Sequence, residues 1–121
     1  MDKINVMFQM AINEKINKKF LAIGNKEDNR LQFSDADEQT YHFQIQTEEV
    51  SLHRTGAEEL RLVFRLGKVS SGLLKVDGFE FITQVFTKKL TVSQQEVALE
   101  YDLLDGNKIL SNHQLLVKWD N

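Results

Sequence analysis

Apolar and polar residues alternate along most of this chain with a period of two. The first run shows the pattern, with the apolar side chains Ile4, Val6, Phe8, Met10 and Ile12 set between Asn5, Met7, Gln9 and Ala11. Successive side chains of a β-strand point to opposite faces, so each such run predicts a strand with one face turned inward. Turns between the runs must depend on Gly, Asn and Asp, because the sequence contains no proline.

Further runs of the same kind divide the rest of the chain. They lie at residues 16–23, 31–33, 41–46, 50–55, 60–66, 70–76, 79–86, 97–103 and 115–119. The polar stretch 25–29 is interpreted as a loop, and Asp77-Gly78 and Asp105-Gly106 are strong turn signals. Residues 58–66 also contain good helix formers, but a helix would scatter apolar residues that fall strictly two apart. We therefore interpret that segment as a strand as well.

The number and spacing of the strands predict how they are arranged. No break in composition divides the chain, so residues 1–121 are expected to form a single domain. Short turns between consecutive strands indicate an antiparallel meander. An open sheet of this size would leave two exposed edges, and closure into a barrel removes both. We predict an all-β fold, an antiparallel meander that closes into a β-barrel of about 8–10 strands. Side chains fill the interior of such a barrel, or it holds one small ligand.

Composition narrows the classes of function. The chain carries 15 Lys and Arg against 18 Asp and Glu, a net charge of −3, which argues against a nucleic-acid partner. It has no cysteine, so disulfides and thiolate metal sites are excluded. Its apolar runs are too short to span a membrane. Because its start does not have the pattern of a signal peptide, we expect a cytoplasmic protein.

Several motifs, in this order and spacing, resemble one known family. They are Arg54-Thr55-Gly56, Phe64 with Gly67, Asp77 to Phe81, Val85 to Leu90, Val97 to Leu103, and Ser111. Together they resemble the YwiB-like family, small bacterial proteins of unknown function. The chain departs from that pattern at Leu74, where an aromatic residue is expected, and in lacking a proline before Gly78. The resemblance implies a calycin-like (lipocalin-like) β-barrel and supplies no activity.

The sequence offers little for catalysis or metal binding. We interpret His42, His53 and His113 as lying on the polar phase of their strands and facing solvent, and no two of them have metal-binding spacing. The acidic residues of the stretch 35–38 are interpreted as a solvated turn. A Gly-x-Ser-x-Gly elbow is absent from the sequence. We predict no catalytic residues, no metal site and no cofactor, and expect that the protein is not an enzyme.

Three inward-phase residues could contact a ligand. Arg54 is in phase with Val50 and Leu52, so its side chain should point inward near one end of the barrel. It could anchor a carboxylate or phosphate, pair with a protein carboxylate, or cap strand carbonyls. Tyr41 and Tyr101 also share the apolar phase, so each could line a pocket or simply belong to the core. The aromatic set Phe8, Phe43, Phe64, Phe79, Phe81 and Trp119 is predicted to be core.

Two functions of different classes remain open. The first is a binding module whose lumen takes up a small, partly apolar or anionic molecule, with Arg54, Tyr101 and Tyr41 as candidate contacts. The second is an interaction or scaffold protein with a filled core, acting through its outer face or as a homodimer. The segment 79–86, apolar on both phases, suggests the second function because such a strand needs cover on both faces. The chain is therefore expected to be a monomer or a homodimer.

Overall fold

The computed structural model describes residues 2–120, and the side chains from Lys3 onward. Within that range it contains ten strands. They are β1 (Asp2–Ile12), β2 (Lys15–Glu27), β3 (Arg30–Ser34), β4 (Thr40–Ile45), β5 (Glu49–Thr55), β6 (Glu59–Arg65), β7 (Val69–Val76), β8 (Phe79–Val92), β9 (Glu96–Asp105) and β10 (Lys108–Asp120). The all-β prediction is confirmed, and residues 59–65 form a strand as expected.

The ten strands close into one barrel. Each strand pairs antiparallel with the next along the chain, and β1 pairs antiparallel with β10 to complete the ring. Phe8 on β1, for example, lies opposite Phe20 on β2 and opposite Val117 on β10. This is the antiparallel meander that the strand spacing predicts. Its closure gives every strand two neighbours, although the β2–β3 ladder takes in only Asn25 to Glu27 of β2 and the β6–β7 ladder only Glu59 to Arg61 of β6.

Three predicted strand boundaries are wrong. The last strand begins at Lys108 rather than at Leu115. The second strand continues through Gly24 to Glu27, so the stretch 25–29 is mostly strand. Gly24 does not end the strand but allows a close approach, since a Cβ there would lie 2.5 Å from the Gln32 carbonyl oxygen. The eighth strand runs to Val92 rather than to Phe86. A bulge between Thr87 and Lys89 shifts the register of this strand and breaks the alternation of apolar and polar residues. For this reason the sequence pattern does not predict the last part of the strand.

Tight turns join the longer strands. Asn13 and Glu14 connect β1 to β2, and Asp77 and Gly78 connect β7 to β8, all four with positive φ angles. Two central residues of this conformation match the right-handed twist of the flanking strands. Gly106 also has a positive φ of 60° between β9 and β10. The prediction that Gly78 and Gly106 are turn glycines is confirmed.

Inward side chains pack into a continuous apolar core. Its buried members include Ile4, Val6, Phe8, Leu31, Phe33, Phe43, Val50, Phe64, Val97, Val117 and Trp119. Phe33 stacks on Tyr41 with ring centroids 5.1 Å apart. Four of the six aromatic residues predicted as core are buried, but Phe79 and Phe81 are not: their side chains are 68% and 55% exposed. They lie where β8 leaves the β7–β8 turn, at one end of the barrel wall.

No helix in the described part of the chain has the length and apolar character needed to cross a membrane.

Candidate ligand site

A cavity of about 320 Å³ opens into the lumen of the barrel. Most of its wall consists of apolar side chains, which come from several strands and include Met10 on β1 and Leu110 on β10. The polar side chains on the wall are Asn17, Lys18, Tyr41, Arg54, Thr83, Tyr101 and His113. A largely apolar concavity with a few convergent polar groups is the usual form of a small-molecule site, and this volume is at the small end of the range.

A row of cross-strand partners runs along one side of this cavity. Tyr41, Arg54, Leu60, Leu74 and Phe81 are consecutive partners on β4, β5, β6, β7 and β8. All five side chains line the cavity, as expected of residues that share a register and a face. The row is polar at β4 and β5 and apolar from β6 to β8. The cavity wall is therefore amphipathic around its circumference.

Arg54 is the cation of this row. Its side chain points inward, as predicted, and is 22% exposed. Its Nη2 lies 3.5 Å from Oε2 of Glu58, a carboxylate that is itself largely open to solvent. Its Nε is buried and has no hydrogen-bond partner among residues 2–120. The sequence allows three kinds of partner for Arg54. A protein carboxylate is one of them, and here it contacts only part of the guanidinium group.

Tyr101 lies deeper in the lumen and is almost fully buried. Its hydroxyl makes one weak contact, with Sδ of Met10 at 3.9 Å. Burial raises the pKa of Tyr101 well above its ordinary value, and the charge of Arg54 opposes that rise only in part. The phenol is therefore neutral and has a hydrogen to donate into the cavity.

His113 also belongs to the lumen, which corrects the sequence interpretation. It is buried, lines the cavity and stacks on Tyr101 with ring centroids 4.8 Å apart. Its Nε2 lies 2.7 Å from Oγ of Ser111, whereas the buried Nδ1 has no partner within the described chain. Burial lowers the pKa of His113, partly offset by Asp102. Position 113 shares the inward phase of Leu115 and Val117, so the signal was present in the sequence.

Tyr41 is held by a cluster that sequence reasoning missed. Its hydroxyl donates to Oδ2 of Asp35 at 2.9 Å, and Lys18 Nζ donates to the same oxygen at 2.5 Å. The other carboxylate oxygen, Oδ1, accepts the backbone N–H groups of Asp37 and Gln39. The Asp35 side chain is buried rather than solvated as expected. The cluster ties the loop between β3 and β4 to β2, so Lys18 and Tyr41 are already partnered.

Burial acts to raise the pKa of the Asp35 carboxyl, but hydrogen bonds from Lys18, the Gln39 amide and Tyr41 hold it below its ordinary value. For Lys18, burial acts in the lowering direction, yet Asp35 and Tyr41 keep its pKa above the ordinary value. Both groups are therefore charged near neutral pH. Lys18 was detectable in principle because it is in phase with Phe20, but its partner lies 17 residues away.

His42 and His53 face outward, as predicted. They are cross-strand partners on β4 and β5, with ring centroids 5.9 Å apart. His53 Nε2 lies 2.7 Å from Oε2 of Glu59 on the outer surface. Within residues 2–120, no group of three or more His, Asp or Glu side chains is placed to hold a metal ion.

Comparison with known proteins identifies the family and leaves its role open. The sequence model of the family described as "Domain of unknown function (DUF1934)" matches residues 19–117. The crystal structure of the ywiB protein from Bacillus subtilis superposes with a TM-score of 0.68 at 14% identity, covering 98% of this chain and 92% of that one. No curated protein shows significant similarity. The resemblance to the YwiB-like family is thus confirmed, and this chain belongs to the DUF1934 family of closed antiparallel β-barrels.

Proposed function

We propose that the protein binds a small, partly apolar anion in the lumen of its barrel, with Arg54 as the anchor. The observation that carries this proposal is the Nε of Arg54, which is buried on the cavity wall without a hydrogen-bond partner in the described chain. A buried donor left unpaired costs free energy that a ligand oxygen would recover. Guanidinium groups bind carboxylates and phosphates with a geometry that few other side chains offer.

The remaining polar groups of the lumen support the same proposal. Tyr101 has only its weak contact with Met10, and His113 carries a buried nitrogen that is unpaired within residues 2–120. Both lie on the wall of the cavity that Arg54 enters. Tyr41, by contrast, has its hydroxyl engaged by Asp35 and contributes mainly its ring. The function that we propose is binding, with Arg54 and Tyr101 as the leading contacts and without a chemical reaction.

A fluorescence titration with 8-anilinonaphthalene-1-sulfonate, an apolar monoanion, tests this proposal. We expect the wild-type protein to bind the dye and Arg54→Met to bind it about tenfold more weakly, the usual value of a charged hydrogen bond. Arg61→Met is the matched control, because Arg61 is exposed on the outer face and loses the same charge. Equal dye affinity for wild type and Arg54→Met would contradict the anchor role.

The alternative is a homodimer formed through the outer face, and one surface favours it. Leu21 and Ile23 on β2 are among the most exposed large apolar side chains, and the half-buried Met7 lies opposite Leu21 on β1. Neighbouring apolar residues of this kind mark interaction surfaces. Sedimentation velocity of wild type and of Leu21→Ser with Ile23→Ser decides this point. A wild-type dimer that the double substitution dissociates would favour the alternative, and a wild-type monomer would eliminate it.

A further inference from the structure

Exposed apolar side chains crowd the end of the barrel where the lumen opens. Phe79, Phe81 and Ile82 lie on β8 just after its turn, and Ile109 and Leu110 lie at the start of β10, all five largely exposed. Two of them, Phe81 at 55% exposure and Leu110 at 53%, also line the lumen cavity. We call Phe81 and Leu110 the apolar rim. Single exposed apolar residues are ordinary, but a pair continuous with a cavity indicates something that covers it.

The cross-strand row connects Arg54 to this rim. From Arg54 on β5 the row passes Leu60 and Leu74 to Phe81 on β8. Three strand spacings separate its ends, about 14 Å along the wall. Exposure rises along the row, from 22% for the Arg54 side chain to 55% for Phe81. An apolar track therefore leads from a part-buried cation outward to the rim.

The charges around Arg54 limit how much negative charge a bound ligand can carry. Lys18, the other cation on the cavity wall, is bound to Asp35. Arg54 is itself partly compensated by Glu58 at 3.5 Å. Less than one full positive charge is then left for a ligand. This balance suits a carboxylate, with a single negative charge, better than a phosphate monoester, which carries close to two near neutral pH.

We propose that the ligand is a monocarboxylate with an extended apolar tail, its head at Arg54 and its tail laid along Leu60 and Leu74 to the apolar rim. This inference rests on the proposed lumen function and specifies its ligand class. It accounts for the exposed rim, because the tail of a bound ligand covers Phe81 and Leu110. It also accounts for the small cavity, because the tail extends beyond the enclosed volume.

Isothermal titration calorimetry with octanoate and dodecanoate tests the inference. The wild-type protein is expected to bind dodecanoate at least about tenfold more tightly than octanoate, because the four added methylenes become largely buried along the rim. Phe81→Ser combined with Leu110→Ser should reduce that preference to about threefold or less, since its apolar contacts are gone. The double variant should weaken octanoate binding by a smaller factor than dodecanoate binding.

A matched control removes as much apolar surface from the same two strands. Ile82→Ser combined with Ile109→Ser alters exposed neighbours that do not line the cavity. It should keep the wild-type preference for dodecanoate. Arg54→Met should weaken both acids by a similar factor, because both share the carboxylate head. All four rim and control side chains are exposed, and far-UV circular dichroism checks that the variants are folded.

The outcomes separate the inference from the proposed function beneath it. Binding of both acids with equal affinity, or a dodecanoate preference that survives loss of the rim, overturns the inference and leaves an anion site at Arg54. Tighter binding of dodecyl phosphate than of dodecanoate overturns the choice of a carboxylate. If neither acid nor 8-anilinonaphthalene-1-sulfonate binds to the wild type, the proposed function fails together with the inference.

Discussion

Asp35 is a buried carboxylate that accepts hydrogen bonds from two side chains and two backbone amides. Lys18 and Tyr41 reach it from β2 and β4, while Asp37 and Gln39 donate from its own loop. Its two oxygens therefore organise the loop and fasten it to the barrel wall at the same time. A charge in this position stabilises the fold only while it is ionised and paired.

Asp35→Asn is expected to lower the free energy of unfolding by about 2–4 kcal/mol, because Lys18 loses a buried charged partner. Asp37→Asn is the control, since Asp37 is exposed and takes part only through its backbone amide. The pKa of Asp35 lies below its unfolded value. Its contribution is therefore present above the ordinary carboxyl pKa near 4 and is lost as pH falls through the lower folded value.

Urea titrations between pH 7 and pH 3 measure both effects. The wild type should lose stability steeply below about pH 4, and Asp35→Asn should show a shallower loss because one group with a lowered pKa is missing. Identical slopes in the two proteins would mean that Asp35 is not the buried, paired carboxylate described above.

His113 is expected to give the protein a second pH dependence, near neutrality. Burial lowers its pKa in the folded state, so the unfolded chain takes up the proton first as pH falls. Stability should therefore decrease between about pH 7 and pH 5, and His113→Gln should remove part of that decrease. His42→Gln is the comparison, since the pKa of His42 is also lowered, by partial burial and by His53. If His113→Gln keeps the full wild-type decrease, the histidine is not buried in its neutral form.

At the scale of the strand, the alternation of side chains determines which residues enter the core. Phe64 on β6 is completely buried, with its ring centroid 4.7 Å from that of Tyr101. Phe64→Ala is expected to cost roughly 3–5 kcal/mol, the range for removing a buried aromatic ring. Phe79→Ala, at an exposed position of β8, should cost far less. Chemical denaturation of both variants makes the comparison, and a loss below about 1 kcal/mol for Phe64→Ala would mean that its face is not packed.

The same alternation explains how much of the fold could be predicted. Period-two patterns gave the strand count, the meander and the inward phase of Arg54, Tyr41 and Tyr101, because a one-residue error would expose a whole face. The bulge beyond Thr87 broke that pattern, so the end of β8 was misplaced. His113 was misread although its phase was inward. The exposed Phe79 could not be foreseen, because the pattern does not show that the strand end leaves the core.

The candidate site was predictable only in part, for a related reason. Strand phase places Arg54 inside the barrel. Its partial pairing with Glu58, and the lack of a hydrogen-bond partner for its Nε within residues 2–120, depend on three-dimensional spacing. The Lys18–Asp35 pair joins a strand to a loop two connections later, and nothing local in the sequence signals it. The choice between a filled and an open lumen depends on how side chains of ten strands pack together, which periodicity does not report.

At the scale of the whole molecule, the first and last strands of the ring pair with each other. Asn5 lies opposite Asp120, so the two ends of the ring are adjacent. A circular permutant that joins them by a short Gly/Ser linker and opens at Asn107, in an exposed turn, should fold to the same barrel. A permutant opened between Val85 and Phe86, inside β8, should not. Far-UV circular dichroism and thermal unfolding compare them, and equal stability of both permutants would contradict the paired register of β8.

The pairing of β1 with β10 also determines which strand edge lacks a partner while the chain is being synthesised on the ribosome. The partner of β1 on one side, β2, follows it immediately, whereas the partner on the other side, β10, is the most distant of the ten strands along the chain. Throughout elongation the nascent sheet therefore carries a row of unpaired β1 amides and carbonyls that only β10 can cover. Such an edge is a template for pairing with other chains. Ribosome stalling before residue 108 should thus leave a chain that is prone to aggregate, whereas in the finished barrel β10 covers this edge of β1.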